Sequence, residues 1–77
     1  MTPAQCRAAR ALLDLTQSGL ASEAALGLST VVDFERARRV VSDDAVAAIR
    51  AALEAAGVIF VEENGEGPGV RLRKGRP

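Results

Sequence analysis

A chain of 77 residues holds one domain and no more, and at that size the core is barely large enough to fold alone, so a partner subunit would help. With 48% hydrophobic and 26% charged residues it has the composition of a globular domain, while ten basic and ten acidic side chains cancel and leave no global field to draw it onto nucleic acid. One cysteine and no histidine exclude intramolecular disulfides, Cys/His zinc sites and Ser-His or Cys-His catalysis.

Thr2-Pro3-Ala4-Gln5 predicts the start of a first helix, with a threonine cap, proline at the first helical position and glutamine three residues after the cap. This helix is expected over Pro3 to Leu13, with Cys6 in register with Ala9 and Leu13 as a small buried thiol. Asp14-Leu15 is a short link. Thr16 is the next cap, and a second helix follows from Gln17 to about Ala24 despite the weak helix former Gly19, with its apolar side at Leu20, Ala21 and Ala24. Gly27 precedes a third helix beginning at Leu28-Ser29-Thr30 and ending near Arg36 or Ala37, with Val31 and Phe34 on its inner stripe. Two short amphipathic helices about a tight turn are the layout of a helix-turn-helix, whose second helix can enter a DNA major groove.

Arg38-Arg39-Val40-Val41 predicts an extended connector, and Ser42-Asp43-Asp44 caps a fourth helix with acidic groups at the positive end of its dipole. Val46, Ile49, Leu53 and Ala56 form its buried stripe, and Gly57 is a C-terminal stop. Val58 to Val61 and Val70 to Arg73 then read as two strands joined by the glycine-dense Asn64 to Gly69, a β-hairpin that is marginal unless it packs on helices or on a second copy. Lys74 to Pro77 is expected to fray. The fold class is therefore mainly α: a four-helix domain over residues 1–57 followed by a hairpin and basic tail, 58–77, belonging to the same domain. With only Phe34 and Phe60 as aromatics, the core must be aliphatic and Ala-rich.

Several segments together resemble the small Xre/Cro-type (lambda-repressor-like) transcriptional regulators, in particular short bacterial members with a hairpin after the fourth helix. These are Arg10-Ala11-Leu12-Leu13, Thr16-Gln17, Leu20-Ala21, Ser29-Thr30-Val31, Asp33-Phe34-Glu35-Arg36 and Ala48 through Val58. The resemblance implies that Gln17 begins a helix lying across the DNA backbone, that positions 28 to 33 sit on the recognition helix, and that Arg10 and Glu35 form an ion pair. It also implies positive φ at Ala25, where the family usually has glycine. Gly27 stands where the family usually caps with Ser or Thr, and Leu28 and Val32 stand where relatives often carry Arg, Lys or Gln.

The expected DNA-facing residues are Gln17, Leu28, Ser29, Thr30, Val32, Asp33, Arg36, Arg38 and Arg39. Hydroxyls pair with base edges or phosphates, aspartate can accept from cytosine, and Leu28 and Val32 suit thymine methyls or a protein partner equally. Arg36, Arg38 and Arg39 suit phosphates or compensation of the third helix's C-terminal dipole. Arg71, Arg73, Lys74 and Arg76 suit phosphate contact or the solubility of an edge strand. Val58, Phe60, Val70 and Leu72 are dimer-interface candidates, and a dimer would set two recognition helices about 34 Å apart on a pseudo-palindrome.

The expected function is sequence-specific, DNA-binding transcriptional regulation by a small homodimer on double-stranded DNA. The alternative is a helix-turn-helix fold docking a regulatory protein, like an antiactivator or antitoxin. No enzyme, cofactor or metal is expected, because no catalytic or ligand constellation is present. No apolar run approaches the roughly 18 residues of a bilayer span and Met1 to Gln5 lacks the pattern of a secretion signal, which predicts a cytoplasmic protein.

Overall fold

The computed structural model describes residues 1–74; Arg76, and the tail expected to fray after Lys74, lie outside them. Its four helices each begin at a residue suited to the role. Thr2 Oγ1 accepts from the Gln5 backbone N–H at 3.1 Å while Gln5 Oε1 accepts from the Thr2 N–H at 2.8 Å, closing the start of α1, Pro3–Leu13. Thr16 Oγ1 accepts from Gly19 N–H at the head of α2, Gln17–Glu23. Gly27 opens α3, Leu28–Glu35, in extended geometry without a side-chain cap, and Ser42 Oγ accepts from Ala45 N–H at the head of α4, Asp43–Ala55. Gly19 has a packing reason to be inside α2. A Cβ there would come within 2.8 Å of Leu15 Cδ1, so the missing side chain lets the α1–α2 link fold onto the helix.

The ends of α1, α2 and α3 share one hydrogen-bond pattern. After α2, Leu26 N–H reaches the Ala21 carbonyl and Ala25 N–H the Ser22 carbonyl, with Ala25 at φ +56°. After α3, Arg38 N–H reaches Asp33 and Ala37 N–H reaches Phe34, with Ala37 at φ +52°. Asp14 plays the same left-handed part after α1. Only α4 gives that place to glycine, Gly57 at φ +109°. The turn thus falls at Ala25, as the family resemblance implies, and an L-residue there carries a penalty of about 1 kcal/mol or more.

Strands β1 (Val58–Val61) and β2 (Gly69–Leu72) form an antiparallel pair in which Val58 faces Leu72 and Val61 faces Gly69. The second strand lies one residue earlier than its sequence pattern predicts, because pairing begins at Gly69 opposite Val61. Cys6 and Ala9 of α1, Leu20 and Ala21 of α2, Val31 of α3, Ile49 and Leu53 of α4, and Val58 and Phe60 of β1 make one buried cluster. Val46 and Ala56, expected in the same α4 stripe, are half-buried and lie outside this cluster.

Of the two supports expected for the hairpin, helices or a second copy, the structure shows the first, which removes Val58 and Phe60 as dimer-interface candidates. Val58 is 1% exposed and Phe60 8%, both inside the protomer's own core, with Val70 and Leu72 half-buried against the same cluster. A two-stranded ribbon has too little stability alone, and burying its inner face on α1 and α4 supplies it, so Val58 and Phe60 have no surface left for a twin. Two polar latches hold the hairpin down. The Gln5 amide nitrogen donates to the carbonyls of Gly69 (2.9 Å) and Val61 (3.3 Å) at the last rung of the ladder. Arg50 lies 5.0 Å from the centre of the Phe60 ring and pairs with Glu54 and Glu62.

Candidate nucleic-acid interface

The placement of α3 is decided by one carboxylate. Glu35, at the end of that helix, is 1% exposed, yet it receives four hydrogen bonds from two other helices. Arg10 on α1 approaches it as a fork, Nε to Oε2 at 2.7 Å and Nη2 to Oε1 at 2.8 Å, while Arg10 Nη1 donates to the Leu15 carbonyl. The Cys6 thiol donates to Oε2 at 3.1 Å and the Gln17 amide to Oε1 at 3.0 Å. Burial alone would raise the Glu35 carboxyl; the hydrogen bonds from Arg10, Cys6 and Gln17 and the Arg10 charge outweigh it and hold it below the usual carboxylate range. Burial, reinforced by the bond to Glu35, pushes the Cys6 thiol far above its ordinary value and makes it an inert donor.

Arg7 completes the junction. Its Nη1 donates to the Glu35 backbone carbonyl at the C-terminal end of α3, a helix with no basic residue in its own last turn. Arg7 has no expected role, although it shares an α1 face with Arg10 three residues on, and a basic neighbour of a helix lacking its own C-terminal cation is the signal that marks it. Beside this junction an open cleft of about 750 Å³ is lined by Arg7, Arg10, Gln17 and Arg36.

With Val31 and Glu35 buried one turn apart, the 100° step of the helix sends Ser29, Asp33 and Arg36 to the opposite side. Leu28 and Val32 run along one flank. Leu28 is 49% exposed, and Ser29, Arg36 and Arg38 are also exposed, whereas Thr30, Val32 and Asp33 are half-covered. No part of the described chain covers α3 at Leu28 on the flank or at Ser29 on the outer side. Val40, in the connector to α4, is 94% exposed.

Three of the expected contact residues, Gln17, Asp33 and Arg39, are engaged within the fold. The Gln17 amide, expected to reach outward to a phosphate, donates inward to Glu35, because a buried carboxylate attracts every donor within reach. Asp33, expected to accept from a base, accepts from Arg39 Nε at 2.8 Å. Arg39 is therefore paired within the basic cluster, while Arg36 and Arg38 form no ion pair among the described residues. Arg71 and Arg73 lie at and just past β2, remote in sequence from this junction, and are exposed.

Among the described residues no helix is long and apolar enough to cross a membrane, and no group of His, Cys, Asp or Glu is arranged to hold a metal ion. No model of a known protein family matches the chain, and no curated protein matches it significantly.

Proposed function

We propose that this chain is a sequence-specific DNA-binding transcriptional regulator, a lambda-repressor-like helix-turn-helix of the Xre/Cro type acting as a small cytoplasmic homodimer on a pseudo-palindromic operator. The observation that carries this proposal is the α2-turn-α3 unit: α3 is fixed from behind by the buried Glu35 and leaves Leu28, Ser29 and Arg36 exposed. A rigid helix presented in this way fits a major groove, with Leu28 and Val32 meeting thymine methyls, Ser29 and Thr30 meeting base edges or phosphates, and Arg36 and Arg38 meeting the backbone past the helix end. Because the net charge is zero, affinity rests on these local cations. In this proposal the dimer forms through a surface other than Val58 and Phe60.

Exposure of Leu28 beside Val32 favours a second proposal, a protein partner docked on the same face. One titration separates them: purified protein against a duplex taken from upstream of its own gene, with a scrambled duplex as control, at two salt concentrations. The DNA proposal expects preference for the upstream duplex at roughly nanomolar affinity. Equal, weak binding to both duplexes rejects it. Replacing Arg36 and Arg38 with alanine should weaken binding to both duplexes and lower the salt slope by about 1 for each phosphate that is no longer neutralised.

A further inference from the structure

The geometry points to Asp33 as a positioning residue that aims Arg39 at a backbone phosphate, an inference that rests on the DNA-binding proposal above. Asp33 occupies the middle of the outer side of α3, where a lone carboxylate would repel a duplex. It does not stand alone. The chain leaves α3 through Ala37 in left-handed geometry, and the Arg38 N–H closes back onto the Asp33 carbonyl at 3.0 Å, so the connector returns alongside the helix. Arg39 then reaches back to Asp33 with Nε, at 2.8 Å, and its side chain stays 51% exposed against 21% for Asp33. Nη1 and Nη2 of Arg39 make no hydrogen bond among the described residues. They form the outer prong of the guanidinium, two parallel N–H groups spaced for phosphate oxygens.

An arginine held at Nε has fewer rotamers to lose when it binds, so Asp33 contributes to affinity by ordering its neighbour rather than by touching DNA. Charge alone predicts the opposite sign, since removing an anion from the face of a DNA-binding helix should tighten binding to every duplex. The two accounts are therefore separable with one residue.

The experiment enriches a random duplex pool with the wild-type protein, then measures wild type, D33A, D33N, R39A and the D33A/R39A double variant on the enriched duplex and on a scrambled one across several salt concentrations. Circular dichroism confirms the fold of each. R39A is expected to bind both duplexes on the order of tenfold more weakly, with the salt slope lowered by about 1. D33A and D33N should also weaken binding, by several-fold, and the double variant should be no weaker than R39A because the two residues act as one unit. Unchanged or tighter binding by D33A and D33N overturns the inference, as do additive losses in the double variant. A loss by R39A confined to the enriched duplex also overturns it, since that would place Arg39 on a base. Failure of the wild type to enrich any sequence is a different result: it removes the DNA-binding proposal and this inference with it.

Discussion

Helix α1 carries two attachments within two turns, and they rest on different physics. Toward the hairpin it meets β2, whose Val70 and Leu72 pack against the shared apolar core, and the contact is finished by hydrogen bonds from the Gln5 amide to backbone carbonyls. Toward α3 it offers Cys6, Arg7 and Arg10, and the contact is one buried carboxylate with a full set of donors. Apolar burial weakens in proportion to the area removed. A buried charge does not, because removing either partner leaves the other desolvated and unpaired. The hairpin side should therefore tolerate trimming, whereas the α3 side should fail abruptly.

Glu35→Ala tests the abrupt side and should have the largest effect. It leaves Arg10 without its carboxylate and should cost about 3 to 5 kcal/mol. Set against roughly 0.05 to 0.15 kcal/mol per residue of total stability, that loss takes most of what the domain has, and urea unfolding followed by circular dichroism should show a largely unfolded variant. A cooperative transition near the wild-type midpoint would mean that the junction contributes little.

The same carboxylate sets a pH dependence of known sign. The Glu35 carboxyl lies below its unfolded value of about 4.3, so the stability it contributes is fully present above that pH and is lost as pH falls through the lower, folded value. Glu63 is lowered too, by backbone N–H groups of Gly67 and Gly65, and acts in the same direction from the exposed loop. Comparison with Glu35→Gln isolates the buried group: that variant should start less stable at neutral pH and lose less on acidification below about pH 4.3. Parallel stability curves for the two proteins would place the acid sensitivity elsewhere.

On the graded side, Gln5→Ala removes the cap acceptor of α1 and the clamp on the Val61 and Gly69 carbonyls together. A loss of about 1 to 3 kcal/mol is expected, with the helices retained. Hydrogen exchange should show it as faster exchange of the β1–β2 amides than of α4, and uniform acceleration over the whole chain would contradict a separate hairpin latch.

Features confined to one turn of chain are legible in the sequence. Thr2, Thr16 and Ser42 announce three helix starts and Gly57 one helix end because each cap is satisfied within a few residues. Gln5 is half legible: its cap is local, but the carbonyls it clamps lie 56 and 64 residues away and meet it only after the hairpin has docked. The resemblance supplies Arg10 as the partner of Glu35, but Cys6, Arg7 and Gln17 join them only once three helices are in place. On the outer side of α3 the residue types are legible and their partners are not. Asp33 reads as a free acceptor until the turn at Ala37 brings Arg39 back to it.

The smallest effect concerns how the two sides end their helices. The α4-to-hairpin turn has Gly57 at its left-handed position, while the α2-to-α3 turn has Ala25 there at φ +56°, each with its N–H bonded to the carbonyl three residues back. Alanine at that angle is strained, and the strain sits in the turn that sets the angle between the two helices of the proposed DNA-binding unit. Ala25→Gly should relieve it. Glycine also gains freedom in the unfolded chain, which offsets part of the relief, leaving a net stabilisation of about 0.5 to 1 kcal/mol and a rise in Tm of a few degrees. A lower Tm would show that the left-handed turn carries no penalty here and that Ala25 stiffens the unit at no cost. A higher Tm accompanied by weaker binding to the upstream duplex would show that the strained alanine holds α3 at the angle the groove requires.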